Sequence, residues 1–162
     1  TVLCAVDILR KNGFQIPEAS LHTALENVKT LTGLRGRWDI VQNHPAVIHD
    51  VAHNIDGIQQ VLFQLKNNYP KARLHFVLGF VKDKDVFHVL DLFPKDSFYY
   101  FTNAHIPRAL AHEELKNMAA QKNLMGESFD DVNTAIAAAK KNAAVNDVIM
   151  ICGSFFIIGE ID

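Results

Sequence analysis

The side chains best suited to chemistry are Arg37 and, thirteen residues on, the run Asp50-Val51-Ala52-His53-Asn54. A guanidinium suits phosphate charge, and an acid, an imidazole and an amide lie within five positions of one another. The run follows the apolar stretch Ala46-Val47-Ile48 and precedes a helical pattern, Ile58, Val61, Leu62 and Leu65, at i, i+3, i+4 and i+7. A strand that ends in polar residues before a helix start is where open α/β sheets place ligands. A plain structural reading competes: Asn54 as an N-cap and Asp50 as a turn acid complementing the helix dipole.

Three further groups fall at strand ends. Asp83-Lys84-Asp85 includes a candidate helix cap in Asp85. Asn103, His105 and Arg108 form a polar loop in which Arg108 is placed to meet an anion. Gly153-Ser154 is placed to offer backbone N–H groups at a helix start. Eight histidines invite a metal reading, and His49 and His53 have the i, i+4 spacing of a zinc helix. They lie where a strand runs into a turn, so that spacing does not share a helical face; no protein-only metal site is expected. There is no G-x-S-x-G elbow, no G-x-x-x-x-G-K-[ST] loop and no G-x-G-x-x-G fingerprint. A chain that handles a nucleotide with this sequence needs another segment to cradle the triphosphate.

The elements that position these groups alternate in type. Residues 1–11 read as a helix stopped by Asn12-Gly13, and residues 17–31 as a second. Residues 38–41 and 46–49 read as a hairpin or two consecutive strands. After them come a helix (54–66), a strand (73–81), a short helix (86–92) and a strand (97–102). Helices at 113–121 and 132–141 and a strand at 147–152 complete the pattern. Short connections between alternating strands and helices predict an α/β fold: a three-layer, Rossmann-like domain with a mostly parallel sheet, preceded by a short helical segment.

With 162 residues, 49% of them hydrophobic and 21% charged, the chain suits one globular domain. A net charge of −2 supplies no electrostatic case for nucleic acid or an anionic membrane. No apolar run approaches the roughly 20 residues of a membrane span, and no signal-peptide pattern is present. The cysteines, Cys4 and Cys152, both sit in apolar company. They are expected to be buried, reduced thiols in a cytoplasmic protein. The start at Thr1, inside a helical pattern, gives the expectation of a piece of a longer protein.

Three ordered segments carry a family resemblance. Gly36-Arg37 with Asp50-Val51-Ala52-His53-Asn54, then the stretch from Gly79 to Asp85, then Gly153-Ser154 through Gly159-Glu160, resemble the C-terminal domain of the folylpolyglutamate synthase/dihydrofolate synthase branch of the Mur ligases. Arg108-Ala109 matches an Arg-Ala pair there. Arg35 and Ile55 replace prolines common in the family, and Val51 a common glycine, changes that bear on turns more than on chemistry.

The resemblance implies a division at residue 33. Residues 1–33 would be the helical tail of a central ATPase domain with its linker, and 34–162 the C-terminal domain. It implies ATP and Mg2+, with the metal ligands and phosphate loop on the missing central domain. L-glutamate would be joined to dihydropteroate or a folate through an acyl phosphate. Arg37, Asp50 and Asn54 would contact the nucleotide, His53 would sit by the reacting end as the catalytic candidate, and Ser154 and Arg108 would serve the glutamate side. This piece alone is expected to be inactive. A cell-wall Mur ligase domain and a non-catalytic Rossmann-like binding module remain as alternatives.

Overall fold

The computed structural model describes residues 1–162, which form two compact units, Thr1–Leu34 and Arg35–Asp162. The first holds α1 (Val2–Lys11), α2 (Glu18–Glu26) and α3 (Val28–Thr32). Arg10 ties α1 to the start of α2, its guanidinium donating to the Ile16 carbonyl and to Glu18 at 2.7 Å. The single helix expected over 17–31 is broken at Asn27, whose side-chain amide donates to the Thr23 carbonyl at 2.9 Å. Asparagine offers the backbone that alternative, which is why it interrupts helices. The expectation of a buried Cys4 is wrong: the residue is exposed. Apolar neighbours in sequence were not enough, because among residues 1–34 only Val6 and Leu21 are buried apolar side chains.

The second unit is a six-stranded sheet ordered β1-β2-β6-β3-β4-β5. Its strands are β1 (Asp39–Asn43), β2 (Ala46–His49), β3 (Leu74–Leu78), β4 (Phe98–Phe101), β5 (Gly126–Ser128) and β6 (Val148–Cys152). All neighbours are parallel except β1, which pairs antiparallel with β2, so residues 39–49 form a hairpin. Strand β5 was not anticipated: three residues with no apolar alternation carry no readable signal, and its pairing with β4 creates it.

Alternation along each strand divides the core. One face carries Ile48, Phe76, Leu78, Phe101 and Met150. It is covered by α4 (Ile55–Asn68), α5 (Val86–Val89), the 3₁₀ turn Leu90–Leu92 and α6 (His112–Gln121). The other carries Val47, Val77, Tyr100, Ile149 and Ile151. It is covered by α7 (Val132–Asn142) and α8 (Phe155–Gly159). Of these helices, α4, α5, α7 and α8 begin on side-chain caps: Asn54 accepts from Gly57 N–H at 2.8 Å and Asp131 from Thr134 N–H at 2.7 Å. Asp85 caps α5 as expected and also holds His88 at 2.7 Å.

The topology locates the functional edge. From β2 the chain crosses by α4 to β3, leaving a gap that β6 later fills after returning through α7 on the opposite face. Crossovers leaving on opposite faces open a crevice at the carboxyl ends of β2, β6 and β3.

Phe76 lies in the middle of β3, fully buried, and is stacked on Tyr99 and edge-on to Phe93. Phe76→Ala should lower stability by about 3–5 kcal/mol, read as a fall in the urea midpoint.

Candidate functional site

The hairpin register explains the spacing of the first motif. Asp39 pairs with His49 and Ile40 with Ile48. One step beyond the ladder, Trp38 N–H donates to Asp50 Oδ2 at 2.8 Å, and Val51 N–H donates to the Gly36 carbonyl at 2.9 Å. Arg37 is therefore mounted between two cross-links to the end of β2. Gly36 is buried at φ 70°, and a Cβ there would meet Val51 Cγ1 at 2.6 Å. Only glycine satisfies both constraints. Trp38 follows at φ 46°, an uncommon backbone state for a bulky residue.

Asp50 is bound twice. Its Oδ1 accepts from Ala52 N–H at 2.8 Å while Oδ2 takes Trp38. Its own N–H donates to the Ile151 carbonyl at 3.0 Å, and Gly153 N–H donates to the Ala52 carbonyl at 2.8 Å. The β2 exit is thus sewn to β6. A carboxylate offers about four acceptor positions, so two remain for a ligand's hydroxyls. His53 Nδ1 lies 2.9 Å from the Val51 carbonyl. A carbonyl only accepts, so Nδ1 carries the proton of the bond and Nε2 is left as the second ring position.

Arg37, Asp50, His53 and Asn54 line one cleft of about 280 Å3, floored by Val51 and Val61. Arg37 is exposed, and its guanidinium donates to the Gly36 carbonyl at 3.3 Å. Gln60 and Gln64 of α4 also line the cleft. They were not singled out from sequence, although their i, i+4 spacing from a helix whose cap was recognised puts them on one face.

The remaining expected residues lie outside that cleft. Ser154 is 4% exposed and caps α8, its Oγ accepting from Phe156 N–H at 3.0 Å; its own hydroxyl proton remains to donate. Arg108 donates to Asp83 at 2.8 Å and lies over the Phe156 ring at 5.5 Å. Cys152 is fully buried, and burial, with the Asp50 carboxylate adding, pushes its thiol well up; that is the opposite of an activated nucleophile. His49 and His53 face different hollows. His49 lines one of about 420 Å3 on the α7 side with Arg35, Asp39 and Lys140. Burial holds its imidazole below the ordinary 6.5; Asp39 opposes that shift, and Lys140 and Arg35 reinforce it.

A family model described as Mur ligase, glutamate ligase domain, matches residues 36–155. The chain belongs to the Mur ligase family. Among similar proteins, the dihydrofolate synthase/folylpolyglutamate synthase of Escherichia coli is 29% identical over 158 residues, covering 97% of this chain and 36% of the relative. That of Buchnera aphidicola from Schizaphis graminum is 28% identical over 150 residues, covering 92% and 34%. The solved structure of E. coli FolC in complex with DHPP and ADP superposes with a TM-score of 0.80 at 29% identity, over 95% of this chain and 36% of that one. This Mur ligase chain spans about a third of the length of these relatives. No helix in it is long and apolar enough to cross a membrane.

Removing the Asp50 carboxylate orphans two backbone N–H groups. Asp50→Ala should therefore cost about 1–3 kcal/mol, whereas Arg37→Ala, at an exposed position, should stay within about 0.5 kcal/mol; urea unfolding of both checks the contrast. For His49, the unfolded state binds the proton more readily than the folded state does. Stability contributed at this site is complete above pH 6.5 and is lost as pH falls below it. His49→Gln should flatten that acid limb in unfolding curves taken across pH.

Proposed function

We propose that this chain is the closing part of an ATP-dependent ligase that joins L-glutamate to dihydropteroate or a folate. Residues 34–162 act as the C-terminal domain, and residues 1–33 are the helical tail and linker of the central ATPase domain. The observation that carries the reading is the single cleft holding Arg37, Asp50, His53 and Asn54 at the carboxyl end of β2. Similarity to folate-branch ligases along nearly the whole chain supports the choice of branch over the cell-wall enzymes.

The residues fit a nucleotide's edge. Arg37 presents an exposed guanidinium suited to phosphate charge. Asp50, its other lone pairs already occupied by backbone donors, presents acceptors to ribose hydroxyls, the role an acid plays in dinucleotide sites. Asn54 keeps its amide N–H groups after capping α4. His53, oriented by the Val51 carbonyl, stands at the reacting end, where Nε2 is the position available to a ligand.

The glutamate side is assigned to Ser154, whose hydroxyl can donate to a carboxylate, and to Arg108. The ligase reaction proposed is phosphorylation of the substrate carboxylate to an acyl phosphate, which the glutamate amine attacks with loss of phosphate. Mg2+ and the triphosphate are held by the central domain, and this chain binds over them on domain closure. The protein is assigned to the cytoplasm.

Arg37→Ala in the full-length enzyme should raise KM for ATP at least tenfold with the domain still folded. His53→Ala should lower kcat more than it raises that KM. Steady-state ligation assays measure both. Folate-dependent ligation by the 162-residue chain alone would contradict the division of labour.

A further inference from the structure

The terminal Gly159-Glu160 pair has no part in the cleft, yet Glu160 makes a two-point contact across the carboxyl edge of the sheet. Its Oε1 accepts from the His105 backbone N–H at 2.7 Å, and its Oε2 lies 3.0 Å from His105 Nδ1. The Glu160 side chain is 28% exposed and that of His105 62%. We propose that Glu160 is a positioning residue that fixes the loop after β4, residues 103–108, for substrate binding. The proposal rests on the functional reading above, which puts Arg108 on the amino-acid side.

Both halves of the contact are mounted on rigid parts. The carboxylate follows α8, which is capped at its start by Ser154. The chain beyond α8 is pinned to α7 by Asn133: its Nδ2 donates to the Glu160 carbonyl at 3.0 Å, and its Oδ1 accepts from Asp162 N–H at 3.2 Å. The far end of the loop is held by the segment after β3. Lys82 N–H donates to the Arg108 carbonyl at 3.0 Å, Val81 bridges Ala109, and Asp83 takes the Arg108 guanidinium.

Glu160 thus supplies the near anchor and Lys82 with Asp83 the far one. Between them the loop borders an open hollow of about 540 Å3 with Lys82 and Asn103. A backbone N–H bound by a carboxylate is a charge-assisted, short hydrogen bond. An exposed loop without such an anchor must be ordered when ligand binds, and that entropy is then subtracted from affinity. The consequence is specific: loss of Glu160 weakens binding of the group that uses this loop and leaves the Arg37 cleft unaltered.

Amide hydrogen exchange in this chain and steady-state kinetics in the full-length enzyme test the proposal together. Glu160→Ala should speed exchange at residues 104–108 about tenfold without altering the amides of β3 and β6. It should also raise KM for L-glutamate about tenfold while KM for ATP stays put. Glu160→Gln, which keeps a carbonyl acceptor for His105 N–H, should recover most of both. Unchanged loop exchange in Glu160→Ala overturns the clasp, and a loosened loop with unchanged KM for glutamate overturns the positioning role. A wild-type protein that ligates no glutamate sinks the functional reading, and this role with it, while the exchange result still reports whether the clasp exists.

Discussion

The Asp50 carboxylate holds the site together. It bridges the Trp38 and Ala52 N–H groups, and so joins the segment carrying Arg37 to the loop carrying His53. Without it, the chain before β1 would be tied to the β2 exit mainly by the Gly36 carbonyl and Val51 N–H. A buried or half-buried backbone donor left unpaired costs more than a typical hydrogen bond contributes. Asp50 is therefore an architectural acid whose remaining lone pairs face the cleft. The capping reading holds for Asn54, which caps α4, and the atoms these residues leave over line the cleft.

That arrangement also accounts for the placement of the site at one edge of the fold. The crossovers through α4 and α7 leave β6 between β2 and β3, and the polar ends of those strands share one crevice. Gly153 N–H on the Ala52 carbonyl fastens the β6 end to the β2 exit. Gly153 sits at φ 110°, and a Cβ would meet the Gly79 carbonyl at 2.7 Å, so three strand ends approach as closely as backbone permits. The cleft is shallow and one-sided as a result. It offers a charge, a pair of acceptors and an oriented imidazole, and no cradle of N–H groups for a triphosphate.

Much of this was legible from residues alone because the signals are local. Apolar runs gave β2, β3, β4 and β6 their places, Asn54 and Asp85 marked helix starts, and the hairpin register is what the thirteen-residue interval encodes. The departures have physical causes. Asn27 breaks a helix by taking the Thr23 carbonyl, a competition that apolar periodicity does not register. Strand β5 exists only through its pairing with β4, and Cys4 sits among apolar residues that the small helical unit leaves outside. Gln60, Gln64 and Glu160 were passed over as sites because their part depends on what lies across from them in space. Arg108 and Ser154 stand apart from the Arg37 cleft, so the motif order in sequence does not translate into one pocket.

The proposed function depends on the Arg37–Asp50 cleft being a nucleotide contact. Amide hydrogen exchange of the full-length protein, with and without a non-hydrolysable ATP analogue, tests it most directly. Exchange should slow at residues 36–38 and 50–54, with the amides around the His49 hollow unaffected. Saturating analogue that leaves residues 36–38 and 50–54 unchanged would contradict it.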